Sequence, residues 1–153
     1  MHLCQRHMFL SLFTLLVTVA VAAGSALVSA APAPAVTTRE AAMLTKINNA
    51  RAAHGLRPLI LSGDLSTLAR SHSRQMASSA RLFHMTSFSS ICCWSAIAEN
   101  VGTGDSVRTV HQAFLRSSAH RSNILDARMR QVGVGVVSSG GTLWVTEIFR
   151  RPS

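Results

Sequence analysis

The segment Ser118-Ala119-His120-Arg121-Ser122-Asn123-Ile124-Leu125, with Ala98-Glu99-Asn100-Val101 and Phe83-His84 upstream, supplies two imidazoles and one carboxylate. The 153-residue chain has only six acidic residues, so a carboxylate lying between two histidine motifs stands out. Imidazole and carboxylate are the groups that ligate metal ions and move protons near neutral pH. His84, Glu99 and His120 are therefore the candidate cleft residues, and His84 and His120 the candidate metal ligands. No catalytic residue can be named. The chain carries no G-x-S-x-G elbow, no H-E-x-x-H helix and no phosphate-binding P-loop.

Three amphipathic segments and a hairpin must position these groups. Thr37-Thr38-Arg39-Glu40 matches a capping box at the start of a helix whose inner face is Ala41, Leu44, Ile47 and the stem of Arg51. Asp64 is placed to cap a second helix, in which Leu65, Leu68, Ala69, His72 and Met76 form one stripe. His72 thus reads as a core histidine. Ser106 caps a third helix with Val110, His111 and Phe114 on its apolar side, and residues 121–125 read as a short helical turn. Residues 81–104 show no sustained period, so they read as a long functional loop. At the C-terminal end Val132, Val134 and Val136 alternate with their neighbours, and Leu143 to Phe149 alternate again. Between these two strands lies a Gly140-Gly141 turn, the pattern of a β-hairpin. Gly133 and Gly135 share one strand face, where another element can pack against bare backbone.

The first thirty residues read as a leader rather than as part of this body. Arg6 precedes an apolar run from Met8 to about Val28, and Val28-Ser29-Ala30 supplies small residues for cleavage. The expected organisation is a signal peptide over 1–30, an Ala/Pro linker over 31–36 and one domain over 37–153, secreted and with no membrane span once the leader is gone. The net charge is +9, carried almost wholly by Arg. An exported cation of this kind suits an anionic cell-envelope component or lipid. The Arg residues are scattered, which argues against nucleic acid as a partner. Cys92 and Cys93 are adjacent, with Cα atoms about 3.8 Å apart, short of the usual disulfide range of about 4.4–6.8 Å. They read as two free thiols and not as a staple.

Taken in order, Phe83-His84, Ala98-Glu99-Asn100-Val101, His120-Arg121-x-Asn123-Ile124-Leu125, Val132-Gly133-Val134-Gly135 and Trp144-Val145 resemble the CAP superfamily. This is the group of cysteine-rich secretory, antigen 5 and pathogenesis-related proteins, or SCP-like extracellular domains, and the short bacterial branch is the most similar. The resemblance covers residues 37 to 151. It implies an α+β fold: a three-layer α-β-α sandwich with a small antiparallel sheet and a C-terminal β-hairpin. It also implies a cleft lined by two His and two Glu, onto which His84, Glu99 and His120 map. Ala98 stands where Gly is usual, and Ser118-Ala119 where bacterial members have Pro-Gly. The second Glu has no match between Val110 and Ser118. Glu147 on the last strand either stands in for it or is a strand-edge surface residue.

Three functions follow, in this order. The first is a secreted binding module for zinc or another divalent cation at His84 and His120, and for a small or lipid-like ligand, with no organic cofactor. The second is a cationic envelope-adhesion protein with a vestigial cleft. The third is a metal-dependent extracellular hydrolase with Glu99 as base, for which no paired nucleophile and base is visible.

Overall fold

The computed structural model describes residues 35–153, so the leader and most of the linker lie outside the described residues. The chain runs α1 (Thr38–Ala52), β1 (Ile60–Leu61), α2 (Gly63–Ser79), β2 (Trp94–Gly104), α3 (Val107–Arg116), α4 (Ser118–Ile124), β3 (Gln131–Ser139) and β4 (Thr142–Pro152). The sheet order is β1-β3-β4-β2. This is an α+β fold, with α2 on one face of the sheet and α1, α3 and α4 on the other. Among the described residues no helix is long and apolar enough to cross a membrane.

The capping box of α1 forms as the sequence requires: Thr37 Oγ1 accepts from Glu40 N, and the Glu40 carboxylate accepts from Thr37 N. Glu40 is also held by Arg70 of α2, at 2.6 and 2.8 Å. That buried pair turns the inner face of α1 by a residue. Met43, Ile47 and Arg51 are buried, whereas Ala41 is exposed and Leu44 half-buried. Arg51 bridges loops that are distant in sequence: its Nε donates to the Arg57 carbonyl, and one terminal nitrogen donates to those of Ile124 and Asp126.

The start of α2 differs from expectation. Ser62 occupies the cap position, because its N–H is already committed to the Val132 carbonyl in the sheet. Asp64 lies in the first turn instead, where its carboxylate accepts from the Ser62 hydroxyl and pairs with Arg150 at 2.7 Å. A carboxylate there also meets the positive end of the helix dipole.

The largest departure is β2. The expected loop over 81–104 holds only as far as residue 93, and residues 94–104 form an edge strand antiparallel to β4. Gly102-Thr103-Gly104, which resembles a turn in isolation, is the end of that strand. Both faces of β2 are covered: Ala96 and Ala98 belong to the α1/α3/α4 side, and Ile97 to the α2 side. With Glu99 and Asn100 at its centre, the alternation of apolar and polar residues that marks a one-sided strand is lost. The sheet is also mixed, since β1 pairs parallel to β3 through Ile60↔Gln131 and Leu61↔Val132. A parallel pair needs a long crossover, and here α2, β2, α3 and α4 all lie between the two strands.

The β3–β4 hairpin closes at Gly140 and Gly141, with φ of +56° and +79°, between the paired residues Ser139 and Thr142. Both central residues are left-handed, as this two-residue turn demands. On the same ribbon α2 lies directly on the backbone of Gly133 and Gly135: a Cβ at Gly133 would sit 2.2 Å from the Leu65 carbonyl carbon, and one at Gly135 2.3 Å from that of Ala69.

Candidate functional site

Glu99 and Asn100 are neighbours on β2, so their side chains leave opposite faces of the sheet, and each collects a different set of partners. Glu99 faces α2 and the loop that follows it. One carboxylate oxygen, Oε2, accepts from His84 Nδ1 at 2.7 Å and from Met85 N at 3.0 Å. The other, Oε1, is buried without a hydrogen bond, 3.6 Å from His72 Nε2. His72 Nε2 donates instead to the Phe83 carbonyl at 2.8 Å, and its ring meets Phe83 edge-on. A neutral His84 that donates through Nδ1 carries its lone pair on Nε2. Its side chain is 61 % exposed, so the carboxylate orients the imidazole while leaving it open to solvent.

On the other face, Asn100 Nδ2 donates to the His120 carbonyl at 3.2 Å and to Glu147 Oε2 at 3.0 Å. Asn123 Nδ2 donates to Asn100 Oδ1 and to the Glu99 carbonyl. These amides fasten α4 to the edge strand. The His120 ring lies against Phe114, with centroids 5.0 Å apart. Burial lowers its pKa, and the proximity of His84 lowers it further. The two histidines therefore approach from opposite faces of the sheet around the edge strand β2.

Glu147 is paired in register with Asn100 and shares its face. It is fully buried, so the surface reading does not hold, and it has no exposed atom to offer a cleft. The structure brings it to Asn100 and not to Glu99. Among the described residues Oε1 has no hydrogen-bond partner, and burial pushes the carboxyl up to about 8, opposed by the Asn100 hydrogen bond. His111 is likewise buried, with Nδ1 unpartnered. Burial and then Lys46 pull its pKa down to about 4, which keeps it neutral.

Three residues of this arrangement were not assigned from the sequence. His72 does lie on the inner stripe of α2, but it backs Glu99 and so belongs to the candidate site. Nothing in the sequence signals this once β2 is taken for a loop. Asn100 and Asn123 stand within the glutamate and histidine motifs, and that position, beside the candidate site residues, was the available clue. A cavity of about 170 Å³ adjoins His84, lined also by Leu68, Ser71, His72, Gln75 and Phe83. Among the described residues no group of three or more His, Cys, Asp or Glu converges as a metal cage would require.

A three-layer α+β domain built on this mixed four-stranded sheet matches the SCP type of fold. The model of the cysteine-rich secretory protein family, CAP, matches residues 44–149, and the chain belongs to that family. It is 29 % identical over 116 residues to the uncharacterized protein YkwD of Bacillus subtilis, a match that covers 68 % of this chain and 44 % of that protein. The chain thus spans less than half the length of this relative. Among solved structures it is similar to an extracellular protein containing an SCP domain from Bacillus anthracis. There the identity is 21 % and the TM-score 0.65, over 72 % of this chain and 39 % of the other. It is also similar to an outer surface protein of Borrelia burgdorferi, at 15 % identity and a TM-score of 0.69, over 77 % and 97 %.

Proposed function

We propose that the protein is a secreted binding module whose cleft offers the His84 and His120 imidazoles to a divalent cation such as zinc. The observation that carries this reading is the 2.7 Å bond from His84 Nδ1 to a buried Glu99. A carboxylate behind an imidazole fixes the ring and raises the basicity of its free nitrogen, the usual arrangement around a metal-bound histidine. The donor set suits an exchangeable ion and not a structural one, which usually takes four protein ligands. The cation, when bound, would supply a charged anchor for a small ligand in the adjoining cavity. The basic start, apolar run and small-residue end of the leader support export, as do the extracellular and outer-surface settings of the two similar structures. Glu99 is poorly placed to act as a base, since Oε2 is taken twice and Oε1 is buried behind it; this disfavours the hydrolase.

Calorimetric zinc titration tests the proposal. His84→Ala and His120→Ala should each weaken binding at least about tenfold, because a single imidazole is a poor site. Glu99→Gln should weaken it too, since Glu99 orients a ligand; outer-shell changes of this kind cost about 10–100-fold. His111→Ala should leave affinity unchanged. Unaltered affinity in both single histidine variants would sink the proposal.

The adhesive reading is favoured by a second place in the fold. Arg128, Arg130 and Arg151 line a concavity of about 440 Å³ with Ala127 and Pro152. Arg128 is already paired with Asp126 at 2.7 Å, so Arg130 and Arg151 are the cations this face offers. If this face meets anionic envelope lipid, the protein should bind phosphatidylglycerol vesicles and not phosphatidylcholine vesicles. Binding should fall with added salt and fall again in the Arg130→Gln/Arg151→Gln chain. Equal binding to both lipids would remove this reading and leave the cleft proposal intact.

A further inference from the structure

Cys92 and Cys93 are both exposed and free, at the end of the loop that leads into β2. In an extended chain two successive side chains would point to opposite sides. Here Cys93 takes a φ of +60°, one of two non-glycine residues with positive φ among those described. A left-handed, non-glycine residue is disfavoured by about 1–2 kcal/mol, so its surroundings must hold it there. The Cys93 carbonyl accepts from Ser153 N at 3.1 Å, and the next residue, Trp94, is held by its indole N–H on the Ile91 carbonyl at 3.1 Å. The result is that both sulfurs lie on one side and in direct contact. Among the described residues no third His, Cys, Asp or Glu joins them as a metal site would need.

We propose that Cys92 and Cys93 form a reversible thiol–disulfide exchange site for low-molecular-weight disulfides, separate from the cleft and independent of its function. The thiolate of one cysteine attacks the small disulfide, forming a mixed disulfide and releasing one small thiol. The second cysteine then attacks the first sulfur, gives up its proton, and releases the other small thiol as the ring closes. The protein loses two hydrogens and two electrons, and the small disulfide is reduced to two thiols. Because adjacent Cα atoms are about 3.8 Å apart, below the ordinary disulfide range, the closed ring is strained. A strained and exposed disulfide is a labile one, so the site opens again with a simple thiol.

The test uses the full chain carrying Cys4→Ser, so that only this pair can react. After treatment with glutathione disulfide, intact-mass measurement should find a chain lighter by two hydrogens, with no glutathione attached. In the Cys93→Ser chain the adduct on Cys92 has no neighbour to resolve it and should persist. The adduct should be at least about tenfold more abundant there, since a neighbouring thiol reacts as an intramolecular group. Phenylarsine oxide, which bridges two sulfurs at one arsenic with loss of water, should bind one per chain and block closure. 2-Mercaptoethanol should restore the dithiol. Both sulfurs are exposed, so replacing both with Ser should shift the melting temperature little. Stable glutathione adducts on the chain with both cysteines, or thiols left unreacted, would overturn the proposal.

Discussion

Replacing Gly135 with Ala should abolish the native seating of α2, and Gly133→Ala should do the same. The added methyl carbon would lie 2.3 Å from the Ala69 carbonyl carbon in the first case and 2.2 Å from that of Leu65 in the second. Atoms that close cannot coexist, and these are helix backbone, which cannot swing aside as a side chain can. Overpacking against movable side chains costs about 1–3 kcal/mol. Against a helix axis the cost should exceed that range, a large fraction of a stability that is typically about 5–15 kcal/mol. The candidate site should suffer too, because α2 carries His72 and leads directly into the loop that bears His84. Gly63→Ala, with no atom within 4 Å of its new carbon, is the control and should be nearly neutral. Thermal unfolding of the three variants checks this: a Gly135→Ala melting temperature within a few degrees of the control would show that the helix can lift away freely.

Glu147→Gln should stabilise the protein in alkali. In the folded chain burial pushes the carboxyl up to about 8, from an ordinary value of 4.5. The folded state therefore keeps this proton where the unfolded chain has lost it. The contribution is constant below about 4.5, is lost as pH rises from there to about 8, and is flat above. At about 1.4 kcal/mol per unit of pKa, the loss amounts to several kcal/mol. A glutamine keeps the shape, can still accept from Asn100 through its carbonyl, and has no proton to lose. Denaturant unfolding of the two chains between pH 5 and 9 should give curves that diverge up to about pH 8 and run parallel above it, the variant gaining relative to the parent over the diverging range. Curves parallel throughout would mean that Glu147 is not buried as described. The other titratable groups are the same in both chains, so they cancel in the difference.

Part of this protein was determined locally and could be read from the sequence. The Thr37–Glu40 capping box and the Ser106 cap each involve residues three positions apart, and both form as the sequence requires. The hairpin follows from alternating strands on either side of Gly140-Gly141, and the bare face of Gly133 and Gly135 announced a close neighbour. His84, Glu99 and His120 could be singled out because imidazoles and carboxylates are scarce here and their flanking residues form a recognisable order. What the tertiary structure decided is how those groups are shared between the faces of the sheet. β2 hid itself because it is covered on both sides and carries polar residues at its centre, so no period marked it. Without β2 there was no way to see that Glu99 turns toward His72 and His84 while Asn100 turns toward His120 and Glu147. The direction of a side chain on a strand is a matter of register, and register is fixed by pairing with β4, some fifty residues away in the sequence. The burial of Glu147, and with it the rise in its pKa, likewise depends on helices packed from elsewhere in the chain.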